Sequence, residues 1–310
     1  DHVARSASVV TILTATRRGV DGRTTGVTEN DDSKARRRRS VRKTVDKRAS
    51  AWRRKSHRAP RWVEDVASCF QFKVLFSYDI QTSNNFEIIV ADDGSDEQTR
   101  AVVEKFSAKT DLNVIHVWQE DNGFQKTKIL NKAIIASNSD YLIFTDGDCI
   151  ARNDFVETHL NLRRLRSALS GGYFKLTDII SNAICVDIIN EPKSFKFNKL
   201  TESKRKASIL NFITPTKATF DGMNVSCWKK DIVAVNGFDE RMMYGGEDRE
   251  VGERMMNNGI TFLQIRYSAI CVHLFHKRPY KDDSILEKNH SIRKVTKRSK
   301  STFTKFGIKK

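Results

Sequence analysis

Nowhere in its 310 residues does this chain gather the roughly 20 consecutive apolar residues that a membrane-crossing helix needs. That excludes such a helix. Cysteine is also scarce. The five, at positions 69, 149, 185, 227 and 271, show neither paired short spacings nor an even count, which argues against a zinc ribbon or a disulfide framework and predicts a reducing compartment. No methionine precedes Met223, and residues 1–20 lack the long apolar stretch of a secretory signal, so the sequence reads as beginning inside a longer reading frame. No repeat or zinc-finger spacing points to a nucleic-acid module.

Acidic charge is scarce at the ends. The formal net charge is +17, yet residues 1–62 hold 18 basic and 6 acidic side chains and residues 277–310 hold 12 and 3. The middle is therefore slightly acidic, with 25 basic and 29 acidic. The amino-terminal segment, with Arg36 to Arg39 in a row and few large apolar residues, has the composition of a chain that buries too little surface to order itself. Its exception is Ser8 to Thr16, SVVTILTAT, β-branched enough for a buried strand. The basic stretch after His276 suits either solvent or phosphate-bearing partners such as anionic lipid.

Between the ends, strand and helix patterns alternate. FEIIVA, from Phe86 to Ala91, is an apolar β-branched run ending in the turn cluster Asp92-Asp93-Gly94-Ser95. Ser95 or Asp96 can cap a helix carrying Ala101, Val102 and Phe106, and Val114 to Trp118 restores a strand. A second helix through Ile129, Leu130, Ala133 and Ile134 leads to YLIFT, Tyr141 to Thr145, which ends in Asp146-Gly147-Asp148-Cys149. Further elements are predicted as a helix over 153–165, a strand over 169–176, a helix over 177–189, an irregular polar loop over 190–216 and a strand-like run from Ala269 to two histidines. Open α/β sheets bind ligands beyond the carboxyl ends of their strands, so two strands crowned by carboxylate pairs direct attention to that edge.

Asp146 and Asp148, on an extended backbone around one glycine, suit a divalent cation that bridges phosphates, because Mg²⁺ and Mn²⁺ take oxygen ligands and leave positions open. A solvated Asp-Gly turn is the alternative. In Gly245-Gly246-Glu247-Asp248 the glycines permit close approach of a ligand, and the acids begin a helix whose amino-terminal dipole favours carboxylates. Ordinary first-turn acids are the alternative there.

Three stretches, VADDGSDEQT, EDNGFQKTKILNKAIIASNSDYLIFTDGDC and GFDERMMYGGEDREVGERMMNNG, together resemble a family 2 glycosyltransferase. The later part is similar to the galactosyltransferase-type carboxyl half of chondroitin-synthase-like polysaccharide enzymes. The resemblance runs from about Asn85 to Pro279. It implies an α/β GT-A fold, Rossmann-like, with a mostly parallel central sheet flanked by helices in one catalytic domain. It also implies a metal-dependent, inverting transfer from a UDP-sugar donor to a glycan or lipid-linked acceptor in surface polysaccharide synthesis, with Mn²⁺ or Mg²⁺ as cofactor.

By the same resemblance Asp92 and Asp93 contact uracil and ribose. Lys126 and Lys128 lie where relatives set a basic residue against the donor, and Leu130-Asn131 stands in place of an Arg-Asn pair. Asp146 and Asp148 form the DxD motif, and His273, supported by His276, completes the metal ligands. Gly222 and Asn224 lie beneath the donor sugar, while Tyr244, Gly245, Gly246 and Glu247 meet the acceptor. Asp248 is the general base.

These readings divide the chain into a basic segment over 1–62, disordered or non-native, a catalytic domain over 63–279 and a basic tail over 280–310. The domain splits into a nucleotide-binding half over 63–150 and an acceptor-binding half over 151–279. The polar Thr-Tyr-Asn signature expected on the first strand is missing, which reads as a shifted reading frame ahead of the domain. A cytoplasmic enzyme, peripheral at the inner face of the membrane through its basic tail and with no specific nucleic-acid partner, is the expectation. The alternatives are a nucleic-acid- or membrane-binding protein with an inactive body, and a nucleotidyltransferase.

Overall fold

The β-branched and apolar runs become strands of one seven-stranded sheet. In the computed structural model, residues 8–15, 70–183, 203–276 and 282–310 are described, the first of these as backbone. The strands are β1 (Ser8–Ala15), β2 (Glu87–Asp93), β3 (Asn113–Gln119), β4 (Tyr141–Asp146), β6 (Ser167–Ser170), β8 (Val225–Trp228) and β9 (Thr261–Gln264), in the order β3-β2-β1-β4-β8-β6-β9. A second, three-stranded sheet joins β5 (Cys149–Ala151), β10 (Cys271–His273) and β7 (Phe174–Lys175), with β10 in the middle.

The large sheet is mixed, where the resemblance implied mostly parallel strands. β1 runs antiparallel to both β2 and β4, β8 runs antiparallel to β4 and β6, and only β2–β3 and β6–β9 are parallel pairs. A β-branched run reads alike in either direction, so pattern chooses the strand and not its polarity. Because β1 reverses between them, β2 and β4 still point the same way, and their carboxyl ends share one edge. The first 62 residues are thus not wholly outside the body, since Ser8–Ala15 lies within the sheet. The arginine runs and residues 63–69 lie outside the described residues.

Period-two alternation on β2 separates two cores. Ile88 and Val90 face one side, with α1 (Phe70–Asp79), α2 (Glu97–Ser107) and α4 (Phe155–Leu162) supplying Phe72, Val103, Phe106 and Phe155. Ile89 and Ala91 face the other, with Ile129 and Ile134 of α3 (Lys126–Ala136), Ile232 of α7 (Lys229–Ala234) and Val251 and Met255 of α8 (Glu247–Asn257). The result is an α/β/α sandwich.

Two expectations change, and a third is met as far as the described residues reach. The strand predicted over 169–176 is two strands broken at Gly171-Gly172, because β6 must pass Asn224 at a point where any Cβ on Gly171 would come 2.2 Å from its Oδ1. The loop predicted over 190–216 contains a helix, α6 (Lys204–Ile213), capped by Ser203. Its polar first turn hid a helical start, and residues 184–202 lie outside the described residues. The helix predicted over 177–189 is described as α5 (Asp178–Ala183).

The basic tail is part of the body. α9 (Asp283–Ser299) lies against α8, with Thr296 Oγ1 donating to Glu250 Oε1 at 2.8 Å and Arg293 paired with Glu253 at 2.5 Å. After it, Ile308 N donates to Asn236 O at 3.0 Å and Glu240 N donates to Phe306 O at 2.8 Å. The guanidinium of Arg241 stacks on the Phe306 ring at 3.8 Å. Charge concealed these contacts, because long basic side chains cover apolar surface with their stems.

Candidate active site

At the carboxyl end of β2, Asp92 and Asp93 are both buried and both hydrogen-bonded. Asp92 Oδ2 accepts from His116 Nε2 at 2.9 Å and its Oδ1 from Ser95 N at 2.8 Å. Burial alone would raise the Asp92 carboxyl, yet the hydrogen bonds from His116 and Ser95 hold it below the usual range. Asp93 accepts from Gln119 Nε2 at 2.6 Å and Gln125 N at 2.7 Å, and burial keeps it raised. The pair therefore ties β2 to β3 and to the start of α3. That start carries Lys126.

Lys126 reaches across the edge to Asp146, Nζ to Oδ1 at 2.8 Å. Burial pulls the ammonium down, but the charges of Asp146, Glu247 and Asp248 outweigh it and hold the lysine firmly protonated. Asp248 Oδ2 accepts from Gly222 N at 3.3 Å. A Cβ on Gly222 would sit 3.9 Å from Asp248 Cβ and 4.0 Å from Lys126 Nζ, so residues far apart in sequence share one small volume.

Glu247 and Asp248 open α8, after Gly245 and Gly246 at φ 105° and 86°, a left-handed backbone that other residues adopt at a cost. Asn289 of α9 fixes this loop by donating to the carbonyls of Met243, Tyr244 and Gly245. Burial, reinforced by the Asp248 carboxylate, pushes Glu247 up to about 7 against the pull of Lys126. Tyr244 meets Phe124 edge to face, with ring centroids 5.6 Å apart.

Asp146 and Asp148 do not share one extended face as the spacing suggested. Gly147 and Asp148 form a turn, which sends Asp146 toward Lys126 and Asp148 toward the small sheet. There His276 Nε2 lies 2.9 Å and His273 Nε2 3.4 Å from Asp148 Oδ2. Antiparallel pairing of Cys149 with His273, and Leu274 N donating to Asp148 O at 2.9 Å, enforce this meeting. Burial would raise Asp148, but the His276 hydrogen bond and the charges of His273, His276 and Lys126 hold it low. Ligand atoms of these three residues lie within 4.8 Å of one another. One carboxylate oxygen and two imidazole nitrogens suit a borderline transition ion such as Mn²⁺ better than Mg²⁺, which prefers oxygen alone.

Two expected donor contacts point elsewhere. Asn224 is fully buried, its amide donating to Gly172 O at 2.7 Å and Ala269 O at 3.0 Å while Oδ1 faces His159 at 3.0 Å. Burial pushes His159 down to about 3, so it is neutral and bridges Asn224 to Ser226 as part of the framework. Lys128 lines a separate cavity of about 470 Å³ with Gln119, Gln125 and Glu240, because residues two apart on a helix face away from each other. Asn131 clasps the backbone of Phe238. Trp118, at the end of the strand predicted from Val114, is about half exposed and donates to Ser95 O at 3.2 Å.

Asp221 is the residue that motif reading overlooked. Burial, with the Asp248 charge added, lifts it to about 6 against Arg249, whose guanidinium is 3.8 Å away. The available signal was the Asp-Gly pair at 221–222, which repeats those at 93–94 and 146–147.

Residues 73–164 match the family model described as glycosyl transferase family 2, and residues 204–277 match the one described as the N-terminal domain of galactosyltransferase. Over 222 residues the chain is 26% identical to chondroitin synthase of Escherichia coli, covering 64% of this chain and 31% of that protein. Over 234 residues it is 26% identical to the uncharacterized glycosyltransferase YfnE of Bacillus subtilis (strain 168), covering 63% and 59%. The chain thus spans about a third of the first relative and under two thirds of the second. The structure of S. aureus TarS 1-349 in complex with UDP-GlcNAc aligns with a TM-score of 0.52 at 16% identity, over 74% of this chain and 65% of that one. That likeness shows the GT-A-like fold.

Proposed function

From a chain whose residues 73–164 match the glycosyl transferase family 2 model, we propose a metal-dependent, inverting transfer of a sugar from a UDP-sugar to a glycan or lipid-linked acceptor in surface polysaccharide synthesis. One observation carries the reading. Asp146, Asp148, Lys126, Glu247 and Asp248 come from β4 and the turn after it, α3 and α8, and meet at one sheet edge, where their charges act on Lys126 or Asp148. The kinship to chondroitin synthase supports the polymer, and the fold in which TarS holds UDP-GlcNAc supports the donor.

In this reading Asp148, His273 and His276 hold Mn²⁺, with Asp146 nearby on Lys126. When bound, the cation offsets the charge of the departing diphosphate. Lys126 faces the same phosphates as a fixed positive charge. Asp248 takes the proton of the acceptor hydroxyl as its oxygen attacks the anomeric carbon from the side opposite the diphosphate. Glu247, held beside it, orients acceptor hydroxyls, and Tyr244 offers a ring face to the sugar. Asp92 and Asp93 set the base and ribose edge through β3 and α3. We further propose a cytoplasmic site of action, supported by Cys149, Cys227 and Cys271, which are free thiols.

Incubation with a panel of UDP-sugars and Mn²⁺, following UDP release with and without EDTA, tests the reading. Release with at least one donor that EDTA abolishes is the expected result. Release unchanged by EDTA removes the cation from the mechanism, and no release with any donor and acceptor refutes the transfer itself.

A further inference from the structure

We propose that α6, together with exposed apolar side chains of α5 and Phe275, docks the protein on an anionic phospholipid bilayer. The basis is a face that a soluble surface does not ordinarily present. On α6, Ile209, Phe212 and Ile213 are all exposed, Phe212 to 91%. Helical spacing puts them on one arc, while the opposite side holds buried Ala207 and Asn211, which anchors the helix to Tyr267 N at 2.9 Å and Ser268 Oγ at 2.9 Å.

The charge fits an anionic surface. Residues 203–218 contain four basic side chains, Lys204, Arg205, Lys206 and Lys217, and no acid. All four are exposed, and none takes part in an ion pair among the described residues. Arg205 and Lys206 extend the apolar arc into the first turn, so a helix lying in the headgroup plane places rings and branched chains among acyl carbons and cations among phosphates. Of the cations after His276, Arg293 and Lys297 are paired with Glu253 and Lys310 with Glu240, which suits these three less to that task.

A second group of apolar side chains lies at the other end of β10. Ile179, exposed to 82%, and Ile180 stand on α5, which Ser181 Oγ joins to Phe275 N at 2.8 Å. Phe275 is itself exposed and adjoins His276. α6 adjoins the loop just before β10 and α5 the residues just after it, and β10 spans three residues or about 10 Å. A bilayer touching both would bring acyl-anchored molecules to the rim of the Asp148 cluster.

Co-sedimentation of the whole chain with phosphatidylglycerol/phosphatidylcholine vesicles, against phosphatidylcholine alone, tests this. The assay contains no nucleotide sugar, so its outcome is independent of the transfer reaction. The expected result is binding to the anionic vesicles that salt weakens, reduced by roughly tenfold in a Phe212→Ser, Ile213→Ser double variant and in an Arg205→Glu, Lys206→Glu double variant. Both should melt as the wild type does. No anionic-vesicle binding by the wild type overturns the proposal, as does undiminished binding by both variants. A lowered melting temperature in the serine variant also overturns it, because the face is then covered by protein.

Discussion

At the scale of single residues, the site is a set of buried charges whose partners decide their protonation. Glu247 gives a pH signature. Its carboxyl titrates near 7 when folded and near its ordinary 4.5 when unfolded, so between those values the folded state binds more protons. Its contribution to stability must therefore fall as pH rises from about 4.5 to about 7, by an amount on the order of 3 kcal/mol, and stay low above that. Glu247→Gln should flatten that decline and melt higher than the wild type at pH 8. A parallel pH–melting series checks this, and an unchanged slope would place Glu247 in water. Asp248→Asn should reduce transfer by 100-fold or more, within the roughly 10²–10⁴ that a general base contributes, while UDP binding measured by calorimetry is retained. The acids themselves were legible from sequence, because Asp-Gly turns at strand ends and a Gly-Gly-Glu-Asp helix start are local signals. Which partner each takes was not. Asp146 bonds Lys126, Asn224 serves the framework and Asp221 joins the cluster through contacts made 20 or more residues away.

At the scale of elements, α8 is the lever that presents Glu247 and Asp248, and its position is set by a buried pair. Arg254 bonds both oxygens of Glu250 and the carbonyls of Val235 and Gly237, and Glu250 also accepts from Thr296 of α9. Arg254→Ala leaves the Glu250 charge unpaired in the interior and should cost about 3–5 kcal/mol, read by urea denaturation. A loss under 1 kcal/mol would mean that α8 is held by apolar packing alone. Asn289→Ala should act more gently on the protein and harder on function, since it frees the loop carbonyls of residues 243–245. A raised KM for acceptor with little change in melting temperature is the expected pattern. Helix periodicity revealed α2 and α3 and the Gly-Gly-Glu-Asp start revealed α8, whereas α6 and α9 were masked by polar and basic residues whose contacts are tertiary.

At the scale of the whole molecule, the sheet gathers the site by polarity. β2 and β4 run the same way although β1 reverses between them, and the small sheet brings β10 alongside β5. Alternation in sequence shows which residues are strands and which face is core, but strand direction and order depend on pairings that no local pattern encodes. The carboxyl terminus belongs to this framework. Removing residues 301–310 takes away the partners of Asn236, Asp239 and Glu240, so the truncated chain should melt several degrees lower, and an unchanged melt would make the segment dispensable. The central claim is that chain segments distant in sequence build one cation site at the sheet edge. Mn²⁺ titration followed by electron paramagnetic resonance, on the wild type and on the Asp148→Ala, His276→Ala and Lys128→Ala variants, tests it most directly. The account predicts one bound Mn²⁺ per chain, lost or weakened at least tenfold in the first two variants and retained in the third. Mn²⁺ bound with equal affinity by Asp148→Ala and the wild type would contradict it.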